Sequence, residues 1–355
     1  MNKMFAPLLA AGAIAVALSS FAVAAPLPHV VILATGGTIA GTGANTTTTV
    51  GYTAAKLGVD QMIAAVPELG KVAQVRGEQV AQVASESMNN AVWLKLAHRV
   101  NQLLAQKDVD GIVITHGSDT LEETAYFLDL VVKSRKPVVL VASMRPSTAI
   151  SADGPINLYN GVILAGSKEA AGKGVLIAMN DQISSAREVS KSNTSTVDTF
   201  RNPDLGFLGY MQDNKAHFYR MSTRKNTADT EFDVGALDTL PRVDIVYGYA
   251  NMDRVAMDAD IAAGAQGVIQ ASVGDGSVPA QMMPAYRDAR GKGVIVVRSS
   301  RVGSGIVARN GEANDDKEDL VVSDTLNPQK ARILLMLALT RTHDTREIQR
   351  MFYTY

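Results

Sequence analysis

Short runs of Val, Ile and Leu recur along the chain, and longer stretches with helical spacing separate them. A short, unbroken apolar run bounded by polar or turn-forming residues fits a strand buried on both faces, as in a parallel sheet covered by helices above and below. The pattern predicts strands at 29–34, 111–115, 137–142, 175–179, 243–247, 267–271 and 294–297. Within 91–105, residues Trp93, Leu96, Ala97, Val100, Leu103 and Leu104 fall on one helical face. Helices are also predicted at 120–132, 156–170 and 328–340. Pro328 suits a first helical turn, where its missing N–H would have no partner anyway. Strands alternating with helices imply an α/β fold with a mostly parallel sheet.

Length and composition refine this picture. With 355 residues, 46% of them hydrophobic, the chain exceeds one ordinary domain and has ample material for a core. Residues 221–240 are polar and poor in either periodicity, and Pro241 closes them. They read as a linker (221–241) between a larger N-terminal α/β domain (25–220) and a smaller C-terminal α/β domain (242–355). Lys3, the apolar stretch 5–18 and Ala22-Val23-Ala24 follow the order of a secretory signal peptide (1–24), with cleavage expected after Ala24. A membrane anchor is the alternative, but Ser19-Ser20 interrupt the stretch and no basic cluster follows. A formal charge of -1 gives no footprint for nucleic acid or an anionic membrane surface. The chain has no cysteine, which excludes disulfides, zinc–thiolate sites and thiol nucleophiles. His29, His98, His116, His217 and His343 show no paired ligand spacing, so no metal is expected.

Several predicted strands run directly into polar clusters: Thr35-Gly36-Gly37-Thr38, His116-Gly117-Ser118-Asp119-Thr120 and Ser143-Met144-Arg145-Pro146-Ser147. Ligands of open parallel sheets bind at the carboxyl ends of the strands, where these clusters would converge. Thr38 follows a glycine pair that permits a sharp turn and close approach to a ligand, but threonine is also a common helix N-cap. The turn lacks the spacing of a dinucleotide or P-loop motif. Ser118 and Asp119 offer a hydroxyl and a carboxylate; Thr120 followed by Glu122 and Glu123 also fits a plain helix start. Residues 42–51, rich in Gly and Thr, suit a mobile loop. Lys191, in Ser190-Lys191-Ser192-Asn193, reads on its own as a solvated surface charge.

Taken together, ATGGTIAG (34–41), ITHGSDTLEETAYFLDL (114–130), MRPST and SADGP-NLYN within 144–160, and TLNPQKAR (325–332) resemble the bacterial type II L-asparaginases, in particular the periplasmic glutaminase-asparaginases. The similarity runs over 27–355. The resemblance implies a cofactor-independent amidohydrolase acting on L-asparagine and L-glutamine, periplasmic, and assembled as a homotetramer of intimate dimers. It implies Thr38 as nucleophile with Tyr52 beside it, and Ser118, Asp119 and Lys191 as a second catalytic group. Ser85, Glu86 and Asp119 would hold the substrate's α-carboxylate and α-ammonium. Ser277 and Glu312 would reach in from a neighbouring subunit.

Four positions depart from the family pattern: Ser118 where threonine is usual, Glu86 and Ser277 where strict asparaginases have glutamine and asparagine, and Ser143 where alanine is common. The Glu86 and Ser277 pair matches the glutaminase-asparaginase pattern. Two other readings are a periplasmic amino-acid-binding protein, which would not need the Thr38, Tyr52 and Lys191 set, and a serine hydrolase, for which the G-x-S-x-G elbow is missing.

Overall fold

The computed structural model describes residues 26–355; the expected signal peptide lies outside them. The N-terminal half is built on an eight-stranded sheet. Its strands are β1 (His29–Gly36), β2 (Gln74–Val83), β3 (Gly111–Thr115), β4 (Val138–Val141), β5 (Val175–Met179), β6 (Gln182–Ser185), β9 (Gly209–Gln212) and β10 (Lys215–Phe218), while β7 (Ser190–Lys191) and β8 (Phe200–Arg201) form a separate two-stranded ribbon. The order β10-β9-β6-β5-β4-β3-β1-β2 is parallel from β2 to β5 and antiparallel from β5 outward.

β1 shows why a continuous apolar run was needed. Val31 and Leu33 face one core and Val30, Ile32 and Ala34 the other, all five buried. Helices α1 (Val59–Ala64), α2 (Leu69–Val72) and α5 (Gly154–Gly166) cover the second face; α3 (Asn90–Leu104) and α4 (Leu121–Val131) cover the first. The predicted helix at 156–170 is therefore α5 followed by a separate 3-10 turn, Lys168–Ala170, begun by the Ser167 side chain accepting from the Glu169 N–H.

The C-terminal half carries a second, all-parallel sheet: β11 (Val243–Tyr247), β12 (Gly267–Ser272), β13 (Ile295–Ser300) and β14 (Val321–Val322). α6 (Val255–Ala262) and α7 (Met283–Gly291) pack on one side of it. α9 (Pro328–Ala338) and α10 (Thr345–Thr354) pack on the other, after the short α8 (Asp315–Glu318). Pro328 does occupy the first turn of α9, and Asn327 caps it by accepting from the Lys330 N–H. α9 also packs against α4, so one apolar cluster runs from the N-terminal sheet into the C-terminal one.

The polar segment 221–240 has no strand or α-helix, only the 3-10 turn Thr227–Asp229. It is not a free tether. Phe232, Val234 and Leu240 are buried in that shared cluster, and Thr230 donates to the Leu130 carbonyl. No helix among the described residues is long and apolar enough to cross a membrane.

Candidate active site

Because β2, β1, β3 and β4 are parallel neighbours, their carboxyl ends open on one edge of the sheet. The loops there carry Ser85 and Glu86, Thr38, Ser118 and Asp119, and Ser143, in that spatial order. Glycines bring two of these loops into backbone contact. A Cβ on Gly37 would lie 2.3 Å from the Gly117 Cα and N, and one on Gly117 would lie 2.5 Å from the Ser85 Oγ. Gly37 also has φ 77°, a conformation that costs an L side chain strain. No residue with a Cβ fits at either place without moving backbone.

Thr38 is 8% exposed and opens the 3-10 turn Thr38–Ala40. It does not cap a helix: Gly37 holds the cap position, with no side-chain bond. Instead the Thr38 Oγ1 lies 2.8 Å from the Tyr52 hydroxyl. Tyr52 returns to this point because residues 42–51 leave and re-enter through a Thr42–Thr53 bridge, with N–H···O distances of 2.9 and 3.0 Å. The Ala55 N–H then donates to the Gly37 carbonyl at 2.9 Å. The loop tip is exposed, and it leans on the segment after β4 through Gly43 N–H to Thr148 Oγ1 at 2.8 Å.

Ser118, Asp119 and Lys191 also meet. The Lys191 ammonium donates to the Ser118 Oγ at 2.9 Å and to the Asp119 Oδ1 at 2.5 Å. The Lys191 side chain is 16% exposed, which corrects its reading as a surface charge, whereas that of Asp119 is 57% exposed. Thr120 holds the cap position of α4 but makes no side-chain cap bond; its hydroxyl donates to the Ser85 carbonyl at 2.8 Å instead, and the Ser85 Oγ accepts the Asp119 N–H at 3.2 Å. Ser85 is thereby buried between the β2 and β3 loops. Glu86 is exposed and has no hydrogen-bond partner among the described residues. Ser143 is fully buried, its hydroxyl donating to the Arg145 carbonyl at 2.8 Å.

Ser277 and Glu312 lie on loops at the carboxyl edge of the second sheet, Ser277 after β12 and Glu312 after β13. Neither hydrogen-bonds to the Thr38 or Lys191 groups within the chain; Glu312 is exposed and Ser277 half-buried. A cavity of about 700 Å³ between the two halves is lined by Arg187, Leu205, Arg220, Ile306 and Lys330 and does not include Thr38 or Lys191. Among the described residues no three His, Asp or Glu side chains are grouped to hold a metal.

Two supporting residues escaped sequence reasoning. His116 is completely buried: Nδ1 lies 2.8 Å from the Gly117 carbonyl and Nε2 2.9 Å from the Thr124 Oγ1. A carbonyl only accepts, so Nδ1 carries the proton; Nε2 of the neutral ring then accepts from Thr124, whose oxygen takes the Trp93 indole N–H at 2.8 Å. Burial pulls the imidazole down to about 4, against the opposing pull of the Gly117 bond. The ring is a neutral brace under the glycine that touches Gly37. Glu122 is the second, 4% exposed and in contact with both Ser190 and Lys191. A Glu in a helical first turn, here beside Glu123, reads as a dipole partner, and nothing in the sequence links it to residues 68 and 69 positions later.

Residues 29–224 match the family described as Asparaginase, N-terminal, and residues 242–352 the Glutaminase/Asparaginase C-terminal domain. A glutaminase-asparaginase of Pseudomonas fluorescens biotype A is 54% identical, over 93% of this chain and 91% of its own length. A protein named probable periplasmic L-asparaginase from Haemophilus influenzae is 50% identical, over 94% of this chain and 95% of its own. The crystal structure of a probable cytoplasmic L-asparaginase from Campylobacter jejuni superposes with a TM-score of 0.90 at 48% identity, covering 92% of this chain and 100% of that one. With both halves matched in order and relatives similar along nearly their whole length, the chain belongs to the glutaminase/asparaginase family.

Proposed function

We propose that this protein is an amidohydrolase that converts L-asparagine and L-glutamine to the corresponding acid and ammonia through Thr38. The observation that carries the reading is the pairing of the Thr38 hydroxyl with Tyr52 at 2.8 Å, on a loop in backbone contact with the one that bears Ser118 and Asp119. A threonine hydroxyl is a weak nucleophile and needs a partner to take its proton. The Thr38 oxygen attacks the amide carbon while its proton leaves along the bond to Tyr52. The C–N bond then breaks as the Tyr52 hydroxyl passes a proton on to the nitrogen, which departs as ammonia, and water hydrolyses the resulting ester, returning a proton to the Thr38 oxygen. Lys191, held on Ser118 and Asp119, supplies positive charge and a proton relay beside the reacting carbonyl.

The free acceptors fit an amino acid's α-carbon end. Asp119 spends Oδ1 on Lys191 and keeps Oδ2, and Glu86 is unpartnered among the described residues, so both carboxylates face an α-ammonium while Ser85 serves the α-carboxylate. Ser277 and Glu312 complete this end from a neighbouring copy in a homotetramer, which is why their own chain leaves them away from Thr38. Glutamine is longer than asparagine by one methylene, worth about 1–3 kcal/mol of discrimination. A charged Glu86 and a small Ser277 tolerate the shift, so both substrates turn over at comparable rates. The division into 25–220, 221–241 and 242–355 serves this arrangement, one half carrying the nucleophile and the other the donated loops. The basic, apolar and small-residue order of 1–24, with a relative named periplasmic, supports export to the periplasm.

The test is ammonia release from L-asparagine and L-glutamine, side by side, by the wild-type protein and Thr38→Ala. The wild type releases ammonia from both and the variant, still folded, from neither. Binding of the amino acids without turnover by the wild type would favour a binding protein, and a fully active Thr38→Ala would remove Thr38 as nucleophile.

A further inference from the structure

Lys191 belongs to β7, a strand of two residues paired only with β8, itself two residues long and outside the main sheet. Such a ribbon is marginal by itself and cannot set a side chain to within a few tenths of an ångström. Something else must fix the Lys191 backbone if its ammonium is to stay between Ser118 and Asp119.

We propose that Glu122 is a positioning residue for Lys191, and that Asn327 ties this arrangement to the C-terminal half of the same chain. The inference rests on the reading of Lys191 given above. Glu122 stands in the first turn of α4, immediately after the Ser118-Asp119 loop. Its Oε1 accepts the Lys191 N–H at 3.2 Å, and both carboxylate oxygens accept the Ser190 hydroxyl, at 3.1 and 3.0 Å. The same helical start thus grips Lys191 at both ends, the ammonium through Ser118 and Asp119 and the backbone through Glu122. The remaining acceptor capacity goes to the other half of the molecule: Oε2 accepts the Asn327 Nδ2 at 2.9 Å and Oε1 the Gln329 Nε2 at 3.4 Å. The buried Lys330 ammonium lies 3.8 Å from Oε2 and donates to the carbonyls of Arg187 and Val189, just before β7.

A buried carboxylate receiving this many donors cannot be exchanged for an amide without a conflict. In Glu122→Gln the oxygen can stay on Lys191 and Ser190, but the NH₂ then faces the Asn327 NH₂, donor against donor. Turning Asn327 over removes the Oδ1 that accepts the Lys330 N–H and caps α9. The substitution therefore loosens the grip on Lys191 while leaving Thr38, Tyr52 and the proposed α-carbon contacts Ser85 and Glu86 unaltered.

The experiment is a double-mutant cycle on the full-length protein: wild type, Glu122→Gln, Lys191→Met and the pair, assayed by ammonia release from L-asparagine, with fold and assembly state checked on each. Glu122→Gln should lower kcat about tenfold or more and leave KM within about twofold, because the α-carbon contacts are untouched. In the Lys191→Met background the same change should alter kcat by less than about twofold, since its effect passes through the missing ammonium. An unchanged kcat in folded Glu122→Gln, or equal losses in both backgrounds, would overturn the proposal and leave Glu122 a purely structural residue. If Glu122→Gln does not fold, Ser190→Ala goes through the same cycle and is read the same way. A Lys191→Met protein as active as wild type sinks the role of Lys191 itself; a Lys191→Met protein of reduced but measurable kcat with additive losses sinks only the role of Glu122.

Discussion

The two halves of the molecule solve the same problem in different ways. Each ends its parallel strands in loops that carry candidate substrate contacts, and each must hold two such loops in register. In the N-terminal half the loops touch directly, Gly37 against Gly117, with no side chain between them. In the C-terminal half a side chain does it. The fully buried Arg298 guanidinium donates to the Gly276 carbonyl at 2.7 Å beside Ser277, to the Ala308 carbonyl at 3.0 Å and to both oxygens of buried Asp315 at 2.7 Å. Asp315 in turn accepts the Asn310 N–H at 2.7 Å, two residues from Glu312. Backbone contact makes the nucleophile's setting intolerant of any added atom. A buried ion pair makes the loops that carry Ser277 and Glu312 dependent on charge balance instead.

Four substitutions test this contrast, from the largest expected effect to the smallest. Gly37→Ala should be the most damaging to activity. Its methyl meets backbone rather than a side chain that could rotate away, and it is added at φ 77°. Activity should fall to about 1% or less, because a displacement on the order of 1 Å at the reacting groups can cost about a hundredfold. Ammonia release by folded Gly37→Ala near the wild-type rate would show that the loop contact is not needed.

Arg298→Met should act first on stability. Removing one partner of a buried pair leaves an uncompensated charge at Asp315, at a cost of about 3–5 kcal/mol. Urea unfolding measures it, and a shift below about 1 kcal/mol would mean that solvent reaches Asp315. Adding Asp315→Leu should recover part of the stability but not restore KM, since the Arg298 bonds to Gly276 and Ala308 stay lost and the Asp315 bond to Asn310 is lost as well.

His116→Gln probes the brace beneath Gly117. The folded-state imidazole titrates near 4 against an ordinary value of 6.5, so between those values the unfolded chain binds more protons. Stability from this ring is complete above about pH 6.5 and is lost as pH falls toward 4. The variant should be less stable at pH 7, and its stability should depend on pH across that window less steeply, by up to about one proton. Unchanged pH dependence would mean that His116 is already charged or already solvated in the native protein.

Ser118→Thr should have the smallest effect, an activity equal to wild type or a few-fold higher. The added methyl restricts χ1 of a hydroxyl that Lys191 already holds at 2.9 Å. Loss of activity with an intact fold would show that the site has repacked around serine.

Chain order and local chemistry determined a good part of this protein before any coordinates. β1, β3, β5 and β11 are legible because both of their faces, or nearly so, are apolar, and the α9 start is legible because Asn327-Pro328 is local cap chemistry. β2 and the strands from β6 to β10 are not. β2, QVRGEQVAQV, keeps no clean alternation of polar and apolar residues at its half-exposed edge, and the others are short antiparallel segments whose pairing, not composition, makes them strands. The family motifs singled out Thr38, Ser118 and Asp119, whose neighbours in sequence are also their neighbours in space. Lys191 and Ser85 were reached only through the family resemblance and Glu122 only through the tertiary structure, because a lysine in a polar loop, a serine after an edge strand and a glutamate at a helix start have bland local explanations. Only folding brings Lys191 across 72 residues to Asp119, and Asn327 across 205 to Glu122. Contacts of that range depend on how sheets twist and helices stack, which a local pattern does not encode, so the residues that hold the site in place became visible last.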